Sequence, residues 1–372
     1  MTCRTSGSRD CQDATTLGAP QSDRLALLGR LSAWLAAAAL AALIALGCLQ
    51  GARLEGARGG PPGNDSGLFE RMVDNLRDGE SYYAAITREH REMLYPLRPF
   101  VTVRLPTLAW TMAALPDASL RALFVQALAI ASLLAWLWRL RPLVREPISF
   151  ALATLVLGAA HAPAFISFGY TIHELWTGLF ISISLAIYRP ERWWPSLVVA
   201  LAALSIRELA AAYFIAMAAL AWRDARRGET AAWLGGLAAF AVGLCIHAAA
   251  LAPYVTAADH PSSGWLGLGG WPFILLQAKW NLLLMTTPDW AAALLLPLAL
   301  MGLIAARGAT ADRLLLVVGG YLSAFLIVGR ADNAYWGLIV APLWPIGLFT
   351  IGAAVRELAG RMALRPFVPN GP

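Results

Sequence analysis

From Leu31 onward the chain is a succession of long apolar runs, and their length decides the solvent in which it folds. The first, Leu31–Leu49, is long enough to cross a bilayer at about 1.5 Å per residue. Further apolar segments lie near 120–138, 148–166, 173–188, 193–206, 208–222, 232–252, 290–306, 313–329 and 335–355. With 58% hydrophobic and 14% charged residues, the composition is far from that of a soluble domain, at about 45–50% apolar and about 25% charged. A soluble enzyme on a membrane anchor, a nucleic-acid binder and a secreted disulfide scaffold are excluded. The runs are continuous and do not alternate, which also excludes an outer-membrane barrel. The pattern predicts an all-α polytopic membrane protein.

The formal charge of +6 comes from arginines set between the apolar segments; Lys279 is the only lysine. Such placement serves membrane orientation and gives no reason to expect nucleic acid as a partner. The four cysteines, Cys3, Cys11, Cys48 and Cys245, form neither a metal-binding nor a disulfide-like spacing. Residues 1–24, rich in Ser, Thr, Asp and Arg, read as a disordered cytoplasmic tail. Ala45-Leu46-Gly47-Cys48 resembles a lipoprotein cleavage site. The acidic residues Asp10, Asp13 and Asp23 upstream oppose a signal peptide, so the first run is read as a retained helix.

Orientation follows from the basic clusters. Arg139, Arg141 and Arg145 form one, Arg189 and Arg192 a second, and Arg223, Arg226 and Arg227 a third. Arg307 with Arg313, and Arg356 with Arg361 and Arg365, complete the set. They fall on every second connection, which predicts about ten transmembrane helices within 25–360, with both termini in the cytoplasm. Residues 100–116 are short and interrupted by Arg104 and Pro106, and are read as a re-entrant or interfacial segment. The first outer loop, 51–100, carries many arginines against the positive-inside rule, so its side is set by agreement with the later clusters. A second long outer loop covers 253–289, and 361–372 is read as a cytoplasmic tail.

This topology puts the remaining ionisable residues on the outer side: Asp65, Glu80 and His90, then His173-Glu174, Arg207-Glu208, Lys279, and Arg330 with Asp332. Charges at membrane depth are costly and mark water-filled or substrate-lined cavities. Their shared side predicts one outward-facing polar site. The first outer loop reads as two amphipathic interfacial helices. Asn64-Asp65 caps the first, which sets Leu68, Phe69, Met72, Val73 and Leu76 on one face; Gly79 stops it. Ser81 caps the second, which carries Tyr82, Tyr83, Ile86 and His90. Each polar pair also has a simpler role: Asp65 as a helix cap, Arg207-Glu208 as a short surface turn, His173-Glu174 as a helix start. His161 and His247, inside apolar runs, read as packing residues, and the tryptophans as an interfacial belt. The sequence contains no Walker loop, no His-Glu-x-x-His motif and no Ser elbow.

The motifs Asp65-x-x-Leu68-Phe69, Gly79-Glu80-x-Tyr82-Tyr83 and Tyr95-Pro96-x-Arg98-Pro99-Phe100 follow the first run in order. Arg104-x-Pro106, His173-Glu174, Arg207-Glu208-Leu209 and Arg330-x-Asp332-Asn333-x-Tyr335-Trp336 come after them. Together these motifs make residues 25–360 resemble the C-type integral-membrane glycosyltransferase superfamily, in its bacterial, polyprenyl-phosphate-sugar-dependent form. The resemblance implies catalysis on the periplasmic face of the inner membrane, with inversion at the anomeric carbon. It implies a polyprenyl-phosphate-linked sugar as donor and a glycan or lipid of the envelope as acceptor. It places the general base at Asp65, with Glu80 as second choice. Arg207 becomes the cation for the leaving lipid phosphate, ahead of Arg98, Arg104 and Lys279. Tyr82, Tyr83, His90, His173, Glu174, Glu208, Arg330 and Asp332 become the other substrate-binding candidates. The paired-acid motif of metal-dependent relatives is missing from the loop, so no cofactor or metal is expected. A transporter or flippase of lipid-linked glycans, or a non-catalytic envelope-assembly protein, are the other classes this composition allows.

Overall fold

The computed structural model describes Leu25 and residues 29–54, 63–328 and 330–363. The expected tails, 1–24 and all of 361–372 beyond residue 363, lie outside the described residues, as does 55–62 of the first loop. Among the described residues the chain is all helical and contains no β-strand.

Helix α1 covers Arg30–Leu54 and packs on a late helix of the bundle. Two amphipathic helices follow, α2 (Gly63–Arg77) and α3 (Tyr82–Glu92), in the places the sequence predicts, except that α2 begins at Gly63, so Asp65 lies in its first turn and not at the expected cap. Phe69, Met72 and Val73, spaced to share one face of α2, are buried. Each contributes about 1.5–3 kcal/mol by leaving water. Gly79, at a φ of +88°, takes the left-handed conformation that reverses the chain after α2. Ser81 caps α3, its hydroxyl accepting from the Ala84 amide at 3.4 Å. The segment expected to be re-entrant or interfacial contains only the 3-10 turn Phe100–Thr102 and the two-turn helix α4, Thr107–Ala113.

The bundle continues with α5 (Ala118–Leu140), α6 (Pro147–His161), α7 (His173–Ile187), α8 (Trp194–Ile206), α9 (Ala211–Arg223) and α10 (Arg227–Leu251). The short helices α11 (Gly270–Ala278) and α12 (Leu282–Met285) precede α13 (Asp289–Ala305), α14 (Ala309–Phe325) and α15 (Ile351–Met362). Among the described residues, four spans are long and apolar enough to cross a membrane: Leu31–Gln50, Ala118–Leu140, Pro147–Phe165 and Arg227–Tyr254. Helices α7, α8 and α13 are apolar but shorter, at 15, 13 and 17 residues, against about 20 for a perpendicular crossing.

The last expected segment, 335–355, is not one helix. It breaks into 3-10 turns at Ala331–Ile339 and Trp344–Phe349 before α15 begins. Pro342 and Pro345 each remove an amide donor, and two within four residues make a continuous α-helix costly there. The irregular backbone is held where it touches α13. Gly302 and Gly347 lie so close that a Cβ on either would overlap the other's helix backbone, and the Thr350 hydroxyl donates to the Gly302 carbonyl at 2.7 Å.

A small apolar cluster joins α1, α13 and α15 through Ala33, Met301, Ala354 and Leu358, and two larger cores organise the described helices. One joins α5, α8, α9, α10, α13 and α14 around Trp136, Tyr213, Phe214, Trp233 and Leu296. The other packs α2, α3 and α4 against the start of α7 through Phe69, Met72, Tyr82, Ile86, Leu108 and Trp176. Polar groups gather at the two ends of α7, about 22 Å apart for its 15 residues. Beyond its C-terminus, Arg139 donates to the carbonyls of Ala186 and Tyr188, at 3.0 and 3.1 Å. There Arg313 lies over the Tyr188 ring at 4.1 Å, Arg226 pairs with Glu229 at 2.6 Å and Arg223 with Asp312 at 2.6 Å. Arginines from three separate basic clusters therefore meet at one end of the bundle. His173 and Glu174 open the other end.

Between the ends lies an uncharged network. The Trp136 indole donates to Ser182 Oγ at 2.9 Å, and Ser182 meets Ser132 Oγ at 2.7 Å. Ser132 in turn meets His161 Nε2 at 2.8 Å, and His161 Nδ1 donates to the Leu157 carbonyl at 2.7 Å. Every donor has an acceptor, which satisfies His161 as a packing residue.

Candidate functional site

The start of α7 forms one wall of a cleft of about 110 Å³. The first turns of α2 bring Asp65, Ser66, Leu68 and Phe69 to it. Helix α3 contributes Tyr82, Ile86 and His90; the connection to α4 contributes Tyr95, Thr102 and Arg104. His173, Glu174 and Tyr335 close it. The lining is mixed: on α2 Asp65 shares a helix face with Leu68, Phe69 and Met72, and on α3 His90 shares one with Tyr82 and Ile86, so carboxylates, a guanidinium and phenols alternate with apolar side chains.

The loop bearing Arg104 is fixed from beneath. The Tyr82 hydroxyl donates to the Arg104 carbonyl at 2.6 Å, and Thr102 Oγ1 donates to the Pro96 carbonyl at 3.1 Å. Tyr95 donates its phenolic proton to Asp65 Oδ1. The Arg104 guanidinium, by contrast, is held loosely. Its Nη2 lies 3.6 Å from Glu174 Oε1 and 3.5 Å from the Tyr335 hydroxyl. A charge-assisted pair closes to about 2.7–2.9 Å, so most of its donor fork is open to the cleft.

Behind Glu174 stands a second cation. Arg207 Nε lies 2.8 Å from Glu174 Oε1, and Arg207 Nη1 lies 2.6 Å from Glu208 Oε1. Its guanidinium also sits 5.9 Å from the centre of the Trp336 ring. These charges touch off the N–H axes: neither Arg207 Nε and Nη1 nor Glu174 Oε1 has a directed hydrogen-bond partner among the described residues. The four residues form a row of alternating sign, Arg104, Glu174, Arg207, Glu208, of which Arg104 and Glu174 line the cleft.

The protonation states around the cleft follow from burial. Burial pulls His90 down to about 4, helped by the Arg104 charge and opposed by the Pro96 carbonyl and Asp65. Its Nδ1 donates to that carbonyl at 3.0 Å, leaving Nε2 as an acceptor in the neutral ring. Burial and the neighbouring Asp65 push the Tyr95 phenol well above its ordinary range, so it stays protonated as a donor. Burial works against the Arg104 charge, but Glu174, Tyr335, Glu208 and Asp65 outweigh it and raise its pKa.

Of the residues singled out in the sequence, Asp65, Tyr82, His90, Arg104, His173 and Glu174 come together in this cleft. Arg207 and Glu208 stand behind it. The others lie elsewhere. Glu80 forms a surface pair with Arg88 at 2.5 Å, and Tyr83 meets His247 Nδ1 at 3.2 Å, outside the lining. Arg98 donates to the Asp259 carbonyl at 3.0 Å. Lys279 pairs with Asp289, and Arg330 donates to Ser263 Oγ. The side chain of Asp332 lies outside the described residues.

Two cleft residues, Tyr95 and Tyr335, carry no role in the sequence reading although both stand inside quoted motifs. Their only signal is a phenol in a polar turn. The second long loop docks beside the cleft through Asp259, which accepts from Arg91 Nε at 2.7 Å, Arg91 Nη2 at 3.0 Å and the Thr256 amide at 2.7 Å. The Arg91 hydrogen bonds hold the Asp259 carboxyl far below the usual carboxylate range. Among the described residues, no group of three or more His, Cys, Asp or Glu side chains is placed to hold a metal ion. No protein-family model, characterised protein or solved structure matches the chain.

Proposed function

We propose that the chain is a membrane glycosyltransferase resembling the C-type superfamily, moving a sugar from a polyprenyl-phosphate donor to an envelope glycan or lipid. The observation that carries this reading is the meeting of Asp65 and the loosely held Arg104 in one cleft that Leu68, Phe69, Met72 and Ile86 also line. A phosphate-linked lipid needs that combination: a cation for the head group and apolar side chains beside it.

In the reaction Asp65 takes the proton of the acceptor hydroxyl. That oxygen forms the new bond to the anomeric carbon from the face opposite the phosphate. The carbon–oxygen bond to the phosphate breaks, and its electron pair leaves with the lipid phosphate, whose charge Arg104 receives. Tyr95, bonded to Oδ1, orients the Asp65 carboxylate and leaves its second oxygen for the acceptor. Arg104 takes the phosphate role that the sequence reading gave first to Arg207, because Arg207 is 3% exposed and does not line the cleft.

In this reading α7, α8, α9, α13, α14 and the broken segment 335–355 join the four long spans to make about ten crossings of a bacterial inner membrane. The arginine-rich end and both termini face the cytoplasm, and the cleft faces the periplasm. A flippase would hold its polar site near mid-depth, whereas the charged side chains of this cleft gather at the start of α7, away from the uncharged Ser132–Ser182–His161 network. The test is transfer in membranes supplied with polyprenyl-phosphate-linked sugar. Asp65→Asn is expected to insert and fold normally and to lose transfer; full activity in that variant would overturn the base assignment.

A further inference from the structure

We infer that Arg207 is a positioning residue, which occupies Glu174 from behind and so keeps the Arg104 guanidinium free for an anion in the cleft. The inference rests on the reading of Arg104 as the phosphate-binding group.

Glu174 lies between two cations but shares itself unequally, with Arg207 at 2.8 Å and Arg104 at 3.6 Å. Its side chain is 2% exposed. A buried carboxylate left with a single cation pulls it into a tight pair, because nothing else compensates its charge. Arg207 removes that demand. It is itself 3% exposed and anchored on its far side by Glu208 and the Trp336 ring, so it stays in place when the cleft fills. The local backbone supports the arrangement: α8 ends at Ile206, and Arg207 is extended, with φ −144° and ψ 124°, before the turn Glu208–Ala210.

Charge balance leads to the same place. With Arg207 present, the row of four is neutral. Without it, Glu174 and Glu208 both face Arg104, which is drawn back from the cleft while the site turns repulsive to phosphate.

The experiment uses the full chain purified in detergent, with radiolabelled inorganic phosphate as the probe in equilibrium dialysis. Arg207→Gln is expected to weaken phosphate binding by about tenfold or more. Glu174→Gln is expected to bind as the unaltered protein does, or more tightly. The double variant is expected to recover to within about threefold of the unaltered protein, since both the stray carboxylate and its counter-charge are gone. A purely structural Arg207 would leave the double variant as weak as the single one. Undiminished binding in Arg207→Gln, or no recovery in the double variant, overturns the positioning role. If Arg207→Gln does not fold, Glu174→Gln decides: equal or tighter binding supports the role and weaker binding overturns it. An unaltered protein that binds no phosphate overturns this role and the phosphate reading together. Binding that depends on Arg104 but not on Arg207 overturns the positioning role alone.

Discussion

His90 makes the cleft sensitive to acid, and the size of the effect can be worked out. Its ring is 4% exposed, beside Arg104 and among the apolar residues of the second core. Protonation would place a second cation there. The depression from 6.5 to about 4 corresponds to about 3 kcal/mol between the two protonation states. The sign follows from proton counts. Between these values the unfolded chain binds the proton and the folded chain does not, so stability is complete above pH 6.5 and falls as pH drops toward about 4. At about pH 4.5 the loss from this one group is about 2–3 kcal/mol. The perturbation is His90→Gln, whose amide can still donate to Pro96 and carries no charge. Thermal unfolding of the full chain in detergent, compared at neutral pH and near pH 4.5, separates His90 from the carboxylates that titrate in both proteins. The variant is expected to lose much less stability on acidification than the unaltered protein. Identical acid losses in the two would refute the assignment of a buried neutral His90.

Arg104→Gln is expected to fold and to lower the transfer rate by about 10²-fold or more, as removal of one preorganised charge donor does; single-turnover kinetics with donor lipid measure it. Ser182→Ala leaves the Trp136 indole without an acceptor at the buried network, costing about 1–3 kcal/mol in thermal unfolding without changing cleft chemistry. Gly302→Ala drives a Cβ into the Gly347 carbonyl, where backbone has to move, and is expected to lower stability by about 1–3 kcal/mol. Gly319→Ala in α14, with nothing within 4 Å of its new Cβ, is expected to be neutral or slightly stabilising in the same unfolding assay.

The sequence by itself determined the solvent, the helical class and the local grammar. Apolar runs of bilayer length admit little besides helices, because lipid satisfies no backbone group. The face made by Phe69, Met72 and Val73, the stop at Gly79 and the cap at Ser81 depend on neighbours a few residues away, and all are legible without a structure. Polarity beside or inside apolar stretches also singled out Asp65, Tyr82, His90, Arg104, His173 and Glu174, which the fold brings to one cleft, because charges at membrane depth are costly.

The choice among cations was beyond it. Arg98, Arg104, Arg207, Lys279 and Arg330 are alike as letters, and each sits in a polar break between apolar runs. The packing of α2, α3 and α4 against the start of α7 brings Arg104 to the cleft, the pairing of α7 with α8 puts Arg207 behind Glu174, and the approach of α11 to α13 sends Lys279 to Asp289. Tyr335 reaches Arg104 across 231 residues of chain, a proximity no local pattern encodes. The break of 335–355 was half visible: Pro342 and Pro345 together disfavour a continuous helix, but the apolar count hid them. The position of the broken backbone was set by Gly302 and Gly347 allowing two chains to touch. Local spacing fixes which residues share a helix face. Close packing between distant helices fixes which charges meet, and the chemistry of this cleft depends on the second.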